Sequence, residues 1–263
     1  MHNYSCLQFK KNVNSQNGED GIIEYIFDKI GTTKGNFIEF GAWDGKHLSN
    51  CLKLFHEGWS GIYIEADESK FEDLTESFGG RDGITLVNKM VSYEENDNLD
   101  TIIDASEHKN KDFDFVSIDV DGLDYNIFKA MKKYLPKVIC IEVNAGHSPL
   151  YDREIPISIA QNNIGQSMKI ICDEADKKGY FPLCYTGNLF LIKNEYRDLF
   201  LYDVDGKGLK DLYVEFLSHL DEEAIKYLFE LFVISKHFNG FSFENDVLKD
   251  YCIFNKVQEM YRY

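Results

Sequence analysis

The sequence predicts an α/β fold in which helices flank a mostly parallel sheet on both faces. Residues 36–45, Asn-Phe-Ile-Glu-Phe-Gly-Ala-Trp-Asp-Gly, join a short apolar strand to a glycine-rich turn, and leucines at roughly helical spacing follow within 46–58. Residues 115–120 are nearly all apolar, which is typical of a buried parallel strand. Gly187-Asn188 joins two further apolar runs as the turn of a hairpin would. Such a doubly wound sheet binds ligands outside the carboxyl ends of its strands.

The remaining elements follow from apolar periodicity and turn residues. Helices are predicted at 20–30, 46–58, 70–78, 99–106, 125–134 and 167–178. Strands are predicted at 37–40, 61–65, 84–91, 115–120, 137–143, 180–186 and 189–192. Residues 145–166 have no clear period, and a long loop above the carboxyl edge of a sheet is usually functional or mobile.

The character of the chain changes at Asn194. Amphipathic helices are predicted at 212–220 and 222–236, and another at 246–263. We therefore predict one domain over 1–193, with an N-terminal helical segment over 1–31, and a helical extension over 194–263. Three roles stay open for the extension: it covers the active site, forms the surface of a homodimer, or braces the sheet.

The net charge limits the classes of partner. The chain carries a formal charge of −17 and has a pI near 4.8. Nucleic acid needs a basic protein face, and an anionic membrane surface attracts basic segments. We therefore expect neither nucleic acid nor membrane as a partner, but a small-molecule acceptor.

The cysteines and the first residues indicate the compartment. The six cysteines form no C-x-x-C pair, which argues against a zinc knuckle or a dithiol redox motif. Residues 1–13 lack the apolar core of a signal peptide. No run approaches the roughly 20 apolar residues of a membrane span. We expect a reduced, cytoplasmic protein.

Four motifs in order carry a resemblance to a known family. Glu39-x-Gly41-x-x-x-Gly45 follows the first strand, and Glu65 ends the second strand, where a carboxylate can accept both hydroxyls of a ribose. Residues 15–20, Ser-Gln-Asn-Gly-Glu-Asp, lie upstream, and Ser-Ile-Asp-Val-Asp-Gly lies downstream. This set resembles the class I S-adenosylmethionine-dependent methyltransferases, and in particular their FkbM-like branch, over about residues 13–193.

The resemblance implies a fold and a reaction. The fold is the Rossmann-like class I methyltransferase fold, a mostly parallel seven-stranded sheet that ends in an antiparallel hairpin. The reaction is transfer of a methyl group from S-adenosyl-L-methionine, most often to oxygen. The implied acceptor is a sugar or small carbohydrate-like molecule, such as a sugar of a surface polysaccharide or a nucleotide-linked sugar.

The same resemblance assigns the cofactor site residue by residue. The backbone of Gly41 and Ala42 would pack on the methionine part, Glu39 would meet its amino group, and Glu65 would hold the ribose hydroxyls. The further candidates for cofactor contact are Gln16, Ser49, Asn50, Ala66, Asn88, Lys89 and Asp119. Each also has a simpler interpretation as a turn, strand-end or helix-surface residue.

Two kinds of group could remove the proton of the acceptor. One is His147, on the loop after the fifth strand. The other is the carboxylate cluster of Asp119, Asp121 and Asp124, in which neighbours would raise the pKa of the base. Asp119 and Asp121 could instead bind Mg²⁺ or another divalent cation. FkbM-like proteins often carry Glu where this chain has Asp121, so the metal and the base both stay open.

Two rival functions fit parts of the same pattern. A glycine turn followed by an acid at the second strand also fits a nicotinamide-dependent oxidoreductase. Against that class stand the incomplete G-x-G-x-x-G motif and the terminal hairpin. The other rival is a non-catalytic module that keeps the cofactor pocket.

Overall fold

The computed structural model describes residues 5–235 and Val247, and within them one sheet of seven strands. The strands are β1 (Asn36–Phe40), β2 (Ser60–Glu65), β3 (Ile84–Asn88), β4 (Phe115–Ile118), β5 (Val138–Glu142), β6 (Tyr180–Tyr185) and β7 (Asn188–Lys193). Their order is β3-β2-β1-β4-β5-β7-β6. The first five pair in parallel, whereas β7 is antiparallel to β5 and β6. The predicted fold class is therefore confirmed.

Helices connect the strands and continue beyond the sheet. They are α1 (Glu19–Ile30), α2 (Leu52–His56), α3 (Glu68–Phe78), α4 (Leu99–Asp104), α5 (Asp124–Ala130), α6 (Ile157–Ala160), α7 (Met168–Lys177), α8 (Leu201–Val204), α9 (Leu209–Ser218) and α10 (Glu222–Ser235), with 3₁₀ turns at Cys6–Phe9 and Asn194–Phe200. The helix predicted at 246–263 lies, apart from Val247, outside the described residues. Across the described part of the chain, the helices are all too short or too polar to cross a bilayer.

The helix predicted at 46–58 is shorter than its leucine spacing suggested. It begins only at Leu52. Leu48 lies in the left-handed region with φ 56°, which a helix excludes. The Ser49 hydroxyl then accepts hydrogen bonds from the backbone N–H groups of Cys51 and Leu52, at 3.2 and 3.0 Å. The turn after β1 is thus a long polar segment rather than the immediate start of a helix.

The alternation of β1 divides the core between the two faces of the sheet. Ile38 and Phe40 pack into one apolar cluster and Phe37 into the other, and all three are buried. The described part of the extension joins both clusters, with Phe216 in the first and Phe200 in the second. These contacts brace the sheet, which was one of the three roles left open. The domain boundary at 193–194 stays a prediction.

A buried carboxylate holds the N-terminal segment against α1. Asp20 Oδ2 accepts hydrogen bonds from the backbone N–H groups of Val13, Asn14 and Ser15 at 2.7 to 2.9 Å, and from the Ser15 hydroxyl at 2.7 Å. Ser15 also forms an isolated parallel bridge with Leu48. One side chain therefore fixes both the start of α1 and the segment that crosses the turn after β1.

We expect Asp20→Ala to destabilise the fold by about 3 kcal/mol, since several hydrogen bonds to a buried charged acceptor are lost together. Glu24→Ala, on the same helix, is the control. Its partners are the surface ammonium groups of Lys11 and Lys53, so it should cost under about 1 kcal/mol. Denaturant unfolding measures both changes, and equal losses would contradict this role for Asp20.

Candidate active site

Two cavities adjoin at the carboxyl edge of the sheet. The first has a volume of about 500 Å³ and is lined from the ends of β1, β2 and β4. The second has a volume of about 620 Å³ and is lined from the end of β5, the β6–β7 hairpin and the helices α9 and α10. Asp119 and Asp121 line both cavities. Molecules bound in the two cavities would therefore meet at these two carboxylates.

The first cavity brings together most of the residues predicted to contact the cofactor. They are Glu39, Gly41, Ala42, Ser49, Asn50, Glu65, Ala66, Lys89 and Asp119. Gln16 lines the second cavity instead. Asn88 lines neither cavity; its side-chain amide donates to the backbone oxygen of Glu65 at 2.9 Å. Cofactor contact by these residues stays a prediction, and the geometry favours it least for Gln16 and Asn88.

Gly41 allows the turn after β1 to press against the end of β4. Its φ is 72°, and a Cβ at this position would lie 2.4 Å from the backbone oxygen of Asp119. Both facts require glycine, because other residues rarely adopt this backbone conformation and would collide with β4. The contact places the backbone at Gly41 directly beside Asp119.

Hydrogen bonds to the Glu39 side chain hold the long turn after β1 in place. The buried Glu39 carboxylate accepts hydrogen bonds from the Ser49 hydroxyl at 2.6 Å and from the Asn50 backbone N–H at 2.8 Å. The Asn50 side chain donates in turn to the Ser117 hydroxyl at 3.0 Å, which ties the turn to β4. Burial raises the pKa of Glu39 to about 7, although these hydrogen bonds oppose the rise. The sequence predicted ligand contacts for Glu39, Ser49 and Asn50, but it did not predict the hydrogen bonds between them.

Glu65 is fixed at the tip of β2. Its two carboxylate oxygens accept one backbone N–H each, from Trp43 and from Asp67, both at 2.8 Å. A carboxylate oxygen can accept more than one hydrogen bond, so this arrangement leaves capacity for a diol. Recognition of ribose hydroxyls by Glu65 stays a prediction, and this position and orientation are compatible with it.

Trp43 forms part of the wall of the first cavity, and sequence reasoning missed it. Its side chain is 41% exposed, the Lys70 ammonium lies 5.4 Å from its ring centroid, and its indole N–H donates to Asp73 at 3.2 Å. Its φ of 44° is unusual for a bulky residue. A tryptophan inside a glycine-rich turn was the available signal, since exposed aromatic rings often bind flat ligands.

The first cavity fits S-adenosylmethionine better than a dinucleotide. Its volume falls in the usual range for small-molecule sites. Glu39, Glu65 and Asp119 offer carboxylates to hydroxyl and cationic groups. A dinucleotide needs a helix N-terminus beside the glycine turn for its pyrophosphate, whereas α2 begins only at Leu52.

A cluster of carboxylates lies where the cavities meet. Asp119, Asp121 and Glu142 each place a carboxylate oxygen within 4.8 Å of the others. Desolvation, followed by repulsion from the neighbouring acids, raises the pKa of Asp119 to about 7 and that of Glu142 to about 8. Asp119 nevertheless remains open to both cavities. The sequence predicted the two aspartates, and the structure adds Glu142 from β5.

Asp124 has a different place from the other acids. It is buried, and its two oxygens accept hydrogen bonds from the backbone N–H groups of Val120 and Gly122, at 2.8 and 2.9 Å. Burial raises its pKa to about 6. It holds the turn between β4 and α5, in which Asp121 has a positive φ of 56°. Asp124 thereby positions Asp121 rather than meeting a ligand.

His147 does not face either cavity. The residue is buried, its Nε2 lies 2.8 Å from the backbone oxygen of Ile164, and desolvation lowers its pKa to about 4. It lines neither cavity. Its role as the base stays a prediction, and the geometry favours the carboxylates over it.

The second cavity is built from segments far apart in the chain. Its amide side chains are Gln16, Asn17, Asn144, Asn162, Asn163 and Asn188. Its apolar side chains include Tyr185 from the hairpin together with Phe216, Leu220, Ala224, Tyr227 and Leu228 from the region of α9 and α10. The extension therefore contributes to the active-site crevice as well as bracing the sheet. No local motif marked these residues as a group.

One family model matches part of the chain. The model of the family "Methyltransferase FkbM domain" matches residues 93–163, which hold β4, β5 and all three acids of the cluster. No curated protein matches the chain. A SAM-dependent methyltransferase from Aquifex aeolicus is 10% identical over 64% of this chain and 88% of its own, with a TM-score of 0.37.

Two further solved structures are similar to a comparable extent. A Podospora anserina methyltransferase bound to S-adenosylhomocysteine is 11% identical over 68% of this chain and 79% of its own, with a TM-score of 0.44. A putative S-adenosylmethionine-dependent methyltransferase from Methanococcus maripaludis is 17% identical over 65% and 83%, with a TM-score of 0.38. These superpositions are loose, so the identification rests on the family match, the strand order and the first cavity.

The family match supports a methyltransferase that uses S-adenosylmethionine, and the strand order agrees with it. Over residues 93–163, across β4 and β5, the chain is similar to the FkbM methyltransferase domain.

The raised pKa values predict a stability that depends on pH. An unfolded glutamate loses its proton near pH 4.3, about 4 units below the folded pKa of Glu142 of about 8. A carboxyl whose pKa is raised by folding contributes stability that is fully present below the unfolded pKa and is lost as the pH rises from there to the folded pKa. Solvent screening of this half-buried group reduces the contribution to roughly 1 kcal/mol. Glu142→Gln should therefore raise Tm by about 2 to 4 °C at pH 9 and leave it nearly unchanged at pH 4.

Thermal unfolding at both pH values measures this difference. Glu76→Gln, on the exposed face of α3, removes the same charge away from the cluster and should not change Tm at either pH. A Glu142→Gln protein that is less stable than the native one at pH 9 would show that the carboxylate is paired rather than repelled.

Proposed function

We propose that the protein transfers a methyl group to a hydroxyl oxygen of a sugar or small carbohydrate-like acceptor. The observation that carries the proposal is the meeting of the two cavities at Asp119 and Asp121. The first cavity holds the methyl donor and the second holds the acceptor, so the reacting groups face each other beside a cluster of carboxylates.

The chain has two tasks in such a reaction, alignment and removal of a proton. Gly41, Glu39 and Glu65 position the donor, and the walls of the second cavity position the acceptor. Bound S-adenosylmethionine supplies an electrophilic methyl group: the acceptor oxygen bonds to it, the electron pair of the broken carbon–sulfur bond stays on sulfur, and the hydroxyl proton passes to a carboxylate.

Asp119 is the best-placed proton acceptor. It lines both cavities, and its pKa of about 7 suits a base that works near neutral pH. Glu142 lines only the second cavity, where with Asp121 it can accept hydrogen bonds from neighbouring hydroxyls of the acceptor. His147 is buried, lines neither cavity and is not needed in this scheme.

A divalent cation is a second candidate for the same position. Three carboxylates within 4.8 Å offer oxygen ligands of the kind that Mg²⁺ takes. A cation there would lower the pKa of a bound hydroxyl and could hold two adjacent hydroxyls of a sugar. Chelation separates the two candidates, because removal of a required metal stops methyl transfer whereas a carboxylate base keeps working.

The proposal extends to the acceptor's biological setting. The family resemblance supports a sugar of surface polysaccharide biosynthesis, and action in the cytoplasm is part of the same proposal. The exposed amide residues Gln16 and Asn163 in the wall of the second cavity support a hydroxylated acceptor, because amides can both donate to and accept from hydroxyl groups.

Asp119→Asn should lower kcat by about 10²- to 10⁴-fold, the usual contribution of a general base. The native kcat should rise with pH through about 7, because only the deprotonated carboxylate accepts a proton. The variant's residual rate should lose this dependence. The measurement is release of S-adenosylhomocysteine with a panel of saccharide acceptors, each compared with the rate without acceptor.

Asp82→Asn, in the exposed turn before β3, removes the same charge away from the cavities and should leave kcat unchanged. Adding EDTA to the native enzyme decides the metal question: a loss of activity that Mg²⁺ restores assigns the cluster to a cation. An Asp119→Asn enzyme with native kcat and a native pH profile would contradict the proposed base.

A further inference from the structure

The two cavities differ in whether cationic side chains line them. The wall of the first cavity contains Lys70 and Lys89 beside its acids. Among the described residues, the wall of the second cavity contains no lysine, arginine or histidine, but it contains the acids Asp119, Asp121 and Glu142. No side chain in that described wall can form an ion pair with a phosphate or carboxylate of an acceptor.

The acids would act against an anion rather than merely fail to bind it. Each of the three lines the cavity and keeps part of its surface exposed. Like charges in a cavity repel each other more strongly than they do in bulk water, because the effective dielectric constant is lower there. Solvent in an open crevice screens part of this repulsion, and the raised pKa values of Asp119 and Glu142 mean that it grows as the pH rises to about 8.

The remaining wall is suited to uncharged polar and apolar groups. Six amides line it, and among them Gln16 and Asn163 have exposed side chains. The apolar part of the wall consists of Phe216 from α9, Leu220 from the turn after it, and Ala224 and Leu228 from α10. Apolar side chains of this kind can contact the carbon-bound hydrogens on the face of a sugar ring.

From this wall we infer that the acceptor is an uncharged or amine-bearing saccharide, and not a nucleotide-linked, phosphorylated or uronic one. The inference rests on the proposed function, which places the acceptor in the second cavity. It selects between the two sources of sugar that the sequence left open: a nucleotide-linked sugar would bring two phosphates beside the acidic cluster. An ammonium group would instead be attracted to the cluster.

The test uses four probes that share a hexose ring and differ in charge. They are methyl glucoside, methyl glucosaminide, methyl glucuronide and UDP-glucose. Binding of each to the full chain saturated with S-adenosylhomocysteine is measured by titration, and methyl transfer is measured separately with S-adenosylmethionine. We expect the glucoside and the glucosaminide to bind at least about tenfold more tightly than either anion. A tenfold change in Kd corresponds to a repulsion of about 1.4 kcal/mol.

A matched pair of variants tests whether the cavity wall causes the preference. Ala224→Lys adds a positive charge to the wall from α10, and Glu223→Gln makes the same change in net charge at the exposed neighbouring residue outside the wall. Ala224→Lys should reduce the preference for the glucosaminide over the glucuronide by about fivefold or more. Glu223→Gln should leave it within about twofold, because solvent screens an exposed charge outside the wall.

The outcomes separate this inference from the proposed function. Binding of the neutral and amine probes without methyl transfer to any saccharide contradicts the function and leaves the inference standing. Binding or methylation of UDP-glucose or the glucuronide as efficient as that of the glucoside overturns the inference, even though the enzyme is then a sugar methyltransferase. Absence of binding for all four probes also overturns it.

Discussion

The close contact between the turn after β1 and the end of β4 is the constraint on which the site depends. Glycine at position 41, with φ 72°, lets backbone approach the Asp119 backbone oxygen where a Cβ would lie 2.4 Å away. Parallel pairing of β1 with β4 brings the two strand ends to the same edge. Because Gly41 has no side chain, the two strand ends can come into contact there. Because Asp119 lines both cavities, this one contact sets the first cavity against the second.

The acids at that junction are held in a costly arrangement. Asp119 and Glu142 have raised pKa values because they are partly withdrawn from water and repel their neighbours. A structure selected only for stability would pair or remove these charges, so their retention is typical of a functional site. Asp124 maintains the arrangement because its carboxylate accepts hydrogen bonds from the backbone of the turn that carries Asp121.

Much of the fold was predictable because apolar periodicity and glycine turns are local signals. The seven strands and the terminal hairpin follow from them, whereas the residues of the first cavity were assigned from the family resemblance. The shortened α2 did not, because the hydrogen bonds of Glu39 with Ser49 and Asn50 override the leucine spacing. The second cavity escaped prediction because its wall comes from segments that only the folded sheet brings together. The proposed homodimer surface, and the expectation of no nucleic-acid or membrane partner, stay predictions.

The central claim is that the donor lies in the first cavity with its reactive centre turned towards the second. A crystal structure of the full chain with S-adenosylhomocysteine tests it most directly. The account predicts that the ribose hydroxyls meet Glu65, that the backbone at Gly41 contacts the amino-acid portion, and that the sulfur is open to the second cavity beside Asp119. A ligand bound in the second cavity, or a sulfur atom shielded from it, would contradict the account.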